Sequence, residues 1–154
     1  IVPMTLPPDR MTGRTALLAS ITKERGIDLT AADVIVAVGR GIKNKKDLEM
    51  IRELAGLLHA QIACTRPLVE NGWFDPRLQI GLSGRTVSPK LIMTIGIAGS
   101  VQFVAGMKGS ETIISINNDA EAGIFQVAHY AVIGDLYEIV PNLINRIKTR
   151  EPVV

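Results

Sequence analysis

Residues 96–100 read Gly96-Ile97-Ala98-Gly99-Ser100, between an apolar run and a stretch with helical character. Glycines at such a junction let backbone approach a phosphate. A helix starting there offers unpaired N–H donors and the positive end of its dipole. Tight strand–helix packing without a ligand uses the same glycines, and the segment is neither a Walker A loop nor a Gly-x-Gly-x-x-Gly fingerprint. Asn117 and Asp135 each follow an apolar run closely. Either can hold a ribose hydroxyl or an adenine edge, or simply cap a turn. Arg66, between Thr65 and Pro67, is a guanidinium at a proline turn and suits a planar or anionic ligand. Arg40, between Gly39 and Gly41, has the same reading; both also fit a plain surface ion pair. Ser83 lies in Gly81-Leu82-Ser83-Gly84, where a hydroxyl can donate to a ring nitrogen or serve as a nucleophile. The nucleophilic role needs a base. The histidines, His59 and His129, have no evident acidic partner, and no Gly-x-Ser-x-Gly elbow is present. Metal binding is not expected, since the acidic residues are scattered and neither His-Glu-x-x-His nor Cys-x-x-Cys occurs.

Apolar patterning supplies the elements that must hold these residues. Runs at 34–38, 91–95, 112–116 and 131–133 read as strands, the first two apolar on both faces like strands covered on both sides. Residues 47–60 carry Leu48, Ile51, Leu54, Ala55 and Leu58 at helical spacing. Residues 100–105 and 136–148 read as further helices, the last with Pro141 near its first turn. The short apolar stretch 61–64 runs into a break at Thr65-Arg66-Pro67. Residues 78–80 read as a short strand, 17–21 as an edge strand before a turn at Gly26, and Trp73 and Phe74 as cover for a core edge. Strand, glycine or polar loop, then helix, repeated four or five times, predicts an α/β fold. The expected form is a doubly wound, mainly parallel sheet with helices on both faces, a Rossmann-like nucleotide-binding domain. Ligands of such sheets lie at the carboxyl ends of the strands, where the residues above collect.

The 154 residues suit one domain. With 47% apolar and 21% charged residues, the chain is not of the disordered class. A net charge of +2 gives no concentrated basic face for nucleic acid. One cysteine, Cys64, cannot form an internal disulfide, and a reducing compartment is the default. No apolar run reaches the roughly 20 residues that span a bilayer, so no membrane insertion is expected. Residues 1–14 read as an interdomain linker or tail and 15–154 as the domain, a fragment of a longer subunit.

Several of these loops together resemble a known family. The motifs are Val38-Gly39-Arg40-Gly41-Ile42; Thr65-Arg66-Pro67 with Asn71-Gly72-Trp73; Gln79-Ile80-Gly81-Leu82-Ser83-Gly84-Arg85 with Val87-Ser88-Pro89; Gly96-Ile97-Ala98-Gly99-Ser100-Val101-Gln102 with Ala105-Gly106-Met107; Ile116-Asn117-Asn118-Asp119; and Gly134-Asp135-Leu136 with Val140-Pro141. Over residues 34–148, in order and at the family's spacing, the chain resembles the C-terminal FAD-binding domain of the electron transfer flavoprotein alpha subunit. The resemblance implies a non-covalently bound FAD and an electron carrier, not an enzyme with substrate turnover of its own. Electrons would arrive from flavin dehydrogenases, such as an acyl-CoA dehydrogenase of fatty acid β-oxidation, and leave to a downstream acceptor. It also implies a heterodimer with a beta subunit and a bacterial-type cytoplasmic setting.

By the same resemblance, Arg66 lies over the flavin ring beside Thr65, and Ser83 lies near flavin N5, where threonine is usual. Gly84 gives close backbone, Gln102 meets the ribityl and pyrophosphate region, and Asn117 and Asp135 hold the adenosine half. Arg85, Gly96, Gly99, Ser100 and Leu136 complete the implied set with three positions that depart from the family, Ala98 for a serine, Phe103 for a histidine and Asn118 for a lysine; a fourth departure, Leu82 for a common glutamine, lies outside the set. Fewer donors should stabilise a negatively charged reduced flavin less and alter its potentials. Two other readings stand beside this one: a nucleotide-binding α/β module without redox function, and a flavin-bifurcating relative using NADH.

Overall fold

The computed structural model describes residues 28–149. The linker, the strand expected at 17–21 and the turn at Gly26 lie outside them. Five strands, β1 (Val34–Val38), β2 (Gln61–Cys64), β3 (Leu91–Ile95), β4 (Thr112–Asn117) and β5 (Tyr130–Ile133), form one sheet in the order β2-β1-β3-β4-β5. Every pairing is parallel. A parallel sheet is covered on both faces, and β1 shows it: Ile35, Val36, Ala37 and Val38 are all fully buried.

Alternate residues of the strands feed two cores. On one face Val36, Val38, Met93, Ile95 and Ile116 meet α1 (Leu48–Leu57) and α4 (Leu136–Thr149). The α1 stripe is Leu48, Ile51, Leu54 and Ala55, and that of α4 is Leu136, Val140 and Ile144. Each such leucine, isoleucine or valine contributes about 1.5–3 kcal/mol by leaving water. Trp73 and Phe74 pack at this core's margin. On the other face Ile35, Ala37, Ile92 and Ile113 meet Phe103 and Met107, from and just beyond α3 (Val101–Ala105), and Ile80, Val87 and Ile124 from the loops. There Thr94 donates to Ser115 across β3 and β4 (2.8 Å), so both buried hydroxyls are partnered.

The local differences from expectation have identifiable causes. Helix α1 ends at Leu57 because the backbone turns left-handed at His59 (φ 50°). The Thr65-Arg66-Pro67 break is instead the start of α2 (Arg66–Glu70). Proline is tolerated in a first turn, where its missing N–H has no partner to lose. No strand forms at 78–80. Asp75 caps a 3-10 turn over Pro76–Leu78, and only isolated bridges, Cys64 to Gln79 and Ile80 to Arg85, follow before Gly81 (φ 135°) turns the chain. Pro141 lies inside α4, beyond the first turn.

Strand order fixes where a ligand can sit. The chain leaves β1 for β2 on one side, while β3 pairs on the other side of β1. Loops diverge at that reversal, and the crevice between them is the usual ligand site of such sheets.

Candidate functional site

The loops after β1 and β3 touch backbone to backbone. Gly39 N donates to Ile95 O and Gly41 N to Gly96 O, each at 3.0 Å. A Cβ on Gly41 would lie 2.6 Å from Gly96 Cα. One on Gly99 (φ 87°) would lie 2.1 Å from Ile124 N. Close packing of loops therefore accounts for these glycines. What they leave open is a crevice of about 300 Å³ at the carboxyl ends of the strands. Gly96, Ala98, Gly99, Asn117 and Asn118 line it, with Arg40 beside them.

A second lobe of about 280 Å³ adjoins it. The two share Thr65, Pro67, Ser100 and Phe103, so the whole is elongated. Arg66, Ser83 and Gln102 border the second lobe, with Gln79 and Leu82. Another cavity, of about 370 Å³, lies at the opposite end of β2, by Gln61 and Trp73; topology argues against it as the principal site.

Donors gather at the second lobe. Arg66 begins α2 and pairs through Nε with Glu70 Oε1 (2.8 Å), both side chains more than half exposed. The Thr65 side chain makes no capping bond. Ser83 Oγ accepts from Gln79 Nε2 (2.8 Å), so its side-chain partner is an amide and not a base. Phe103 is buried beneath the crevice, whereas Leu82 is 69% exposed. Ser100 caps α3, its Oγ accepting from Phe103 N at 3.4 Å. That helix is only five residues long, so its dipole is weaker than a full helix would supply.

Four expected residues lie off the crevice lining. Gly84 lies folded against Gln79. Arg85 is exposed, and its charge helps hold the Asp28 carboxyl low, behind the larger effect of hydrogen bonds from Thr30. Asp135 accepts from Tyr137 N (2.9 Å) at the start of α4. Leu136 is buried behind Gly41 and Gly96. Asn117 borders the crevice, yet both ends of its amide are committed: Nδ2 donates to Ile97 O (2.9 Å), and Oδ1 accepts from Asp119 N (3.0 Å).

A latch holds the β1 loop to α4. Tyr137 Oη donates to Asp47 Oδ2 (2.6 Å) and accepts from Lys43 N (2.8 Å), and Lys43 Nζ stands 5.3 Å from the ring centre. The Tyr137 bond is the main cause holding the Asp47 carboxyl below its usual range. Burial and then the Asp47 bond raise the Tyr137 phenol. Cys64, at the end of β2, is pushed up to about 12 by burial and is not an available nucleophile. Among the described residues no cluster of His, Cys, Asp and Glu suits a metal, and no helix is long and apolar enough to cross a membrane. His129 Nδ1 accepts from Ile113 N (2.9 Å).

Gln79 was not among the expected site residues. It is separated from Ser83 by a loop whose closure no periodicity announces.

A family model described as the electron transfer flavoprotein FAD-binding domain matches residues 28–108. The lactate dehydrogenase (NAD(+),ferredoxin) subunit LctC of Acetobacterium woodii is 55% identical over 148 residues, 96% of this chain and 35% of the relative. The electron transfer flavoprotein subunit alpha of Mycobacterium leprae is 38% identical over 150 residues, 97% of this chain and 47% of the relative. That of Bacillus subtilis is 43% identical over 123 residues, 80% and 38%. The chain thus spans between about a third and a half of these relatives.

Proposed function

Because the chain belongs to the electron transfer flavoprotein FAD-binding domain family, we propose that it is the cofactor-holding part of an alpha subunit that carries electrons from flavin dehydrogenases to a downstream acceptor. FAD is the family's cofactor; when bound, it supplies one- and two-electron redox chemistry. The observation that carries the proposal is the two-lobed crevice at the β1–β3 reversal, with Arg66, Thr65 and Ser83 at one end. Its elongation suits a dinucleotide. Its donor set suits a ring that gains negative charge on reduction.

Each residue has a proposed task. Arg66 opposes negative charge on the ring and raises its potential. Ser83 donates to a ring acceptor, and Phe103 supplies an apolar floor where a donor is common in the family. Gln102 and Ser100 meet the middle of the cofactor. Asn118 and the backbone at 96–99 meet the adenosine side, with Asn117 shaping the wall. Gly84, Arg85, Asp135 and Leu136 act through loop and helix placement. The beta subunit and a dehydrogenase such as an acyl-CoA dehydrogenase are the proposed partners, in a cytoplasmic setting. A carrier with no turnover of its own fits a site in which Ser83 faces an amide and Cys64 is buried.

One observation favours a second reading. The lactate dehydrogenase subunit matches nearly the whole chain at 55% identity, above the 38% and 43% of the two alpha subunits. In that reading the domain serves a flavin-bifurcating complex that uses NADH. The test is anaerobic stopped-flow absorbance of the full-length protein with its beta subunit. Bleaching by a substrate-reduced flavin dehydrogenase, and not by NADH alone, supports the simple carrier. Bleaching by NADH alone supports the second reading, and bleaching by neither contradicts both.

A further inference from the structure

Gln79 is one of the few polar side chains buried among the described residues (7% exposed), and its amide Nε2 donates to Ser83 Oγ at 2.8 Å. The backbone around it forms a closed loop. Arg85 N donates to Gln79 O (2.7 Å), Gly81 N to Arg85 O (3.1 Å), and Leu82 N to Gln102 O in α3 (3.0 Å). Gly84 lets the loop lie on Gln79: a Cβ there would be 2.3 Å from Gln79 O and 3.0 Å from its Cγ. The amide and the hydroxyl are therefore held in register by the fold.

A serine hydroxyl has one proton and two acceptor lone pairs. An amide N–H directed at one lone pair keeps the proton from pointing back along that bond. Ser83 borders the crevice, so its proton has somewhere to go. We infer that Gln79 is a positioning residue that sets the polarity of Ser83, holding its hydroxyl as a donor toward an acceptor atom of the ring bound in this lobe. The inference rests on the crevice being the FAD site. The chemical consequence is selective. Flavin N5 accepts a hydrogen bond while it is unprotonated, with or without negative charge on the ring, and bears a proton when fully reduced, so a hydroxyl biased toward donation favours the unprotonated ring over the fully reduced one.

The test uses full-length protein with its beta subunit, loaded with FAD carrying 15N at N5, and reads that resonance in the oxidised state. Ser83→Ala is expected to move it toward the value of an unbonded N5. Gln79→Glu, ionised, reverses the polarity because a carboxylate only accepts; it should move the resonance in the same direction. In the Ser83→Ala background, Gln79→Glu should add little, as a double-mutant cycle requires of coupled groups. Gln79→Met removes the donor without adding charge and should give a smaller shift that also vanishes without Ser83. It serves as the test if Gln79→Glu does not fold. The FAD dissociation constant of Gln79→Met should rise a few-fold, on the order of one neutral hydrogen bond. Shifts of equal size with and without Ser83, or no shift on changing Gln79, overturn the proposal. Bound FAD whose N5 ignores Ser83→Ala overturns it while leaving FAD binding to the protein intact. A wild-type protein that holds no FAD overturns both.

Discussion

In the proposed site, Arg66 is the side chain whose charge would bear most directly on a bound flavin. Its Nε is occupied by Glu70, an exposed pair expected to contribute little to stability, so replacing it should spare the fold. Arg66→Ala is predicted to weaken FAD binding about tenfold to a hundredfold, the range of a charge-assisted hydrogen bond, and to make the midpoint potential more negative. Flavin fluorescence titration and a potentiometric titration check this; unchanged affinity and potential would remove Arg66 from the site. At this scale the sequence singled out Arg66 and Ser83, which the structure brings to the same lobe, but left open whether Arg66 meets a ligand or an ion pair, and the structure gives it Glu70. It was less legible at Asn117, whose amide suits a ligand or a turn equally and is committed to Ile97 and Asp119. Gln79 was not legible, because its relation to Ser83 exists only once Arg85 N has closed the loop.

Among the elements, the glycine junctions and the Tyr137 latch decide whether the crevice keeps its shape. Gly99→Ala combines a left-handed backbone with a Cβ 2.1 Å from Ile124 N. It should cost about 2–4 kcal/mol, measured by urea denaturation. Tyr137→Phe removes the bonds to Asp47 and Lys43 and should lower the melting temperature by a few degrees. The pH dependence has a definite sign. The Asp47 carboxyl is lowered in the fold, so its contribution is present above the unfolded carboxylate value and lost as pH falls through the folded one. The Tyr137 phenol is raised, so its contribution is present below the unfolded tyrosine value and lost as pH rises through the folded one. Melting curves of Tyr137→Phe across acid and alkaline pH should lack the alkaline loss and show a smaller acid loss. Long apolar runs made β1, β3 and β4 legible, and a helical stripe made α1 legible. Elements set by single-residue geometry were not: α2 hides behind a proline, and the chain at 78–80 is turned by Asp75 capping and Gly81.

For the molecule as a whole, the site follows from the strand order. Alternating strands and helices implied a parallel sheet, but only the order β2-β1-β3-β4-β5 places the reversal between β1 and β3 and brings residues from four separate loops to one crevice. Local patterning does not encode that order, because each strand's own residues fix its faces and not its neighbours. The chain spans only part of its relatives, so the decisive measurement belongs to the full-length subunit with the proposed beta subunit. That measurement is the visible absorption spectrum of the purified complex, with mass identification of the ligand released on denaturation. The predicted result is flavin absorbance at near-stoichiometric FAD, diminished in Arg66→Ala. A colourless complex that takes up no added FAD, or one that releases only an adenine mononucleotide, would contradict the account.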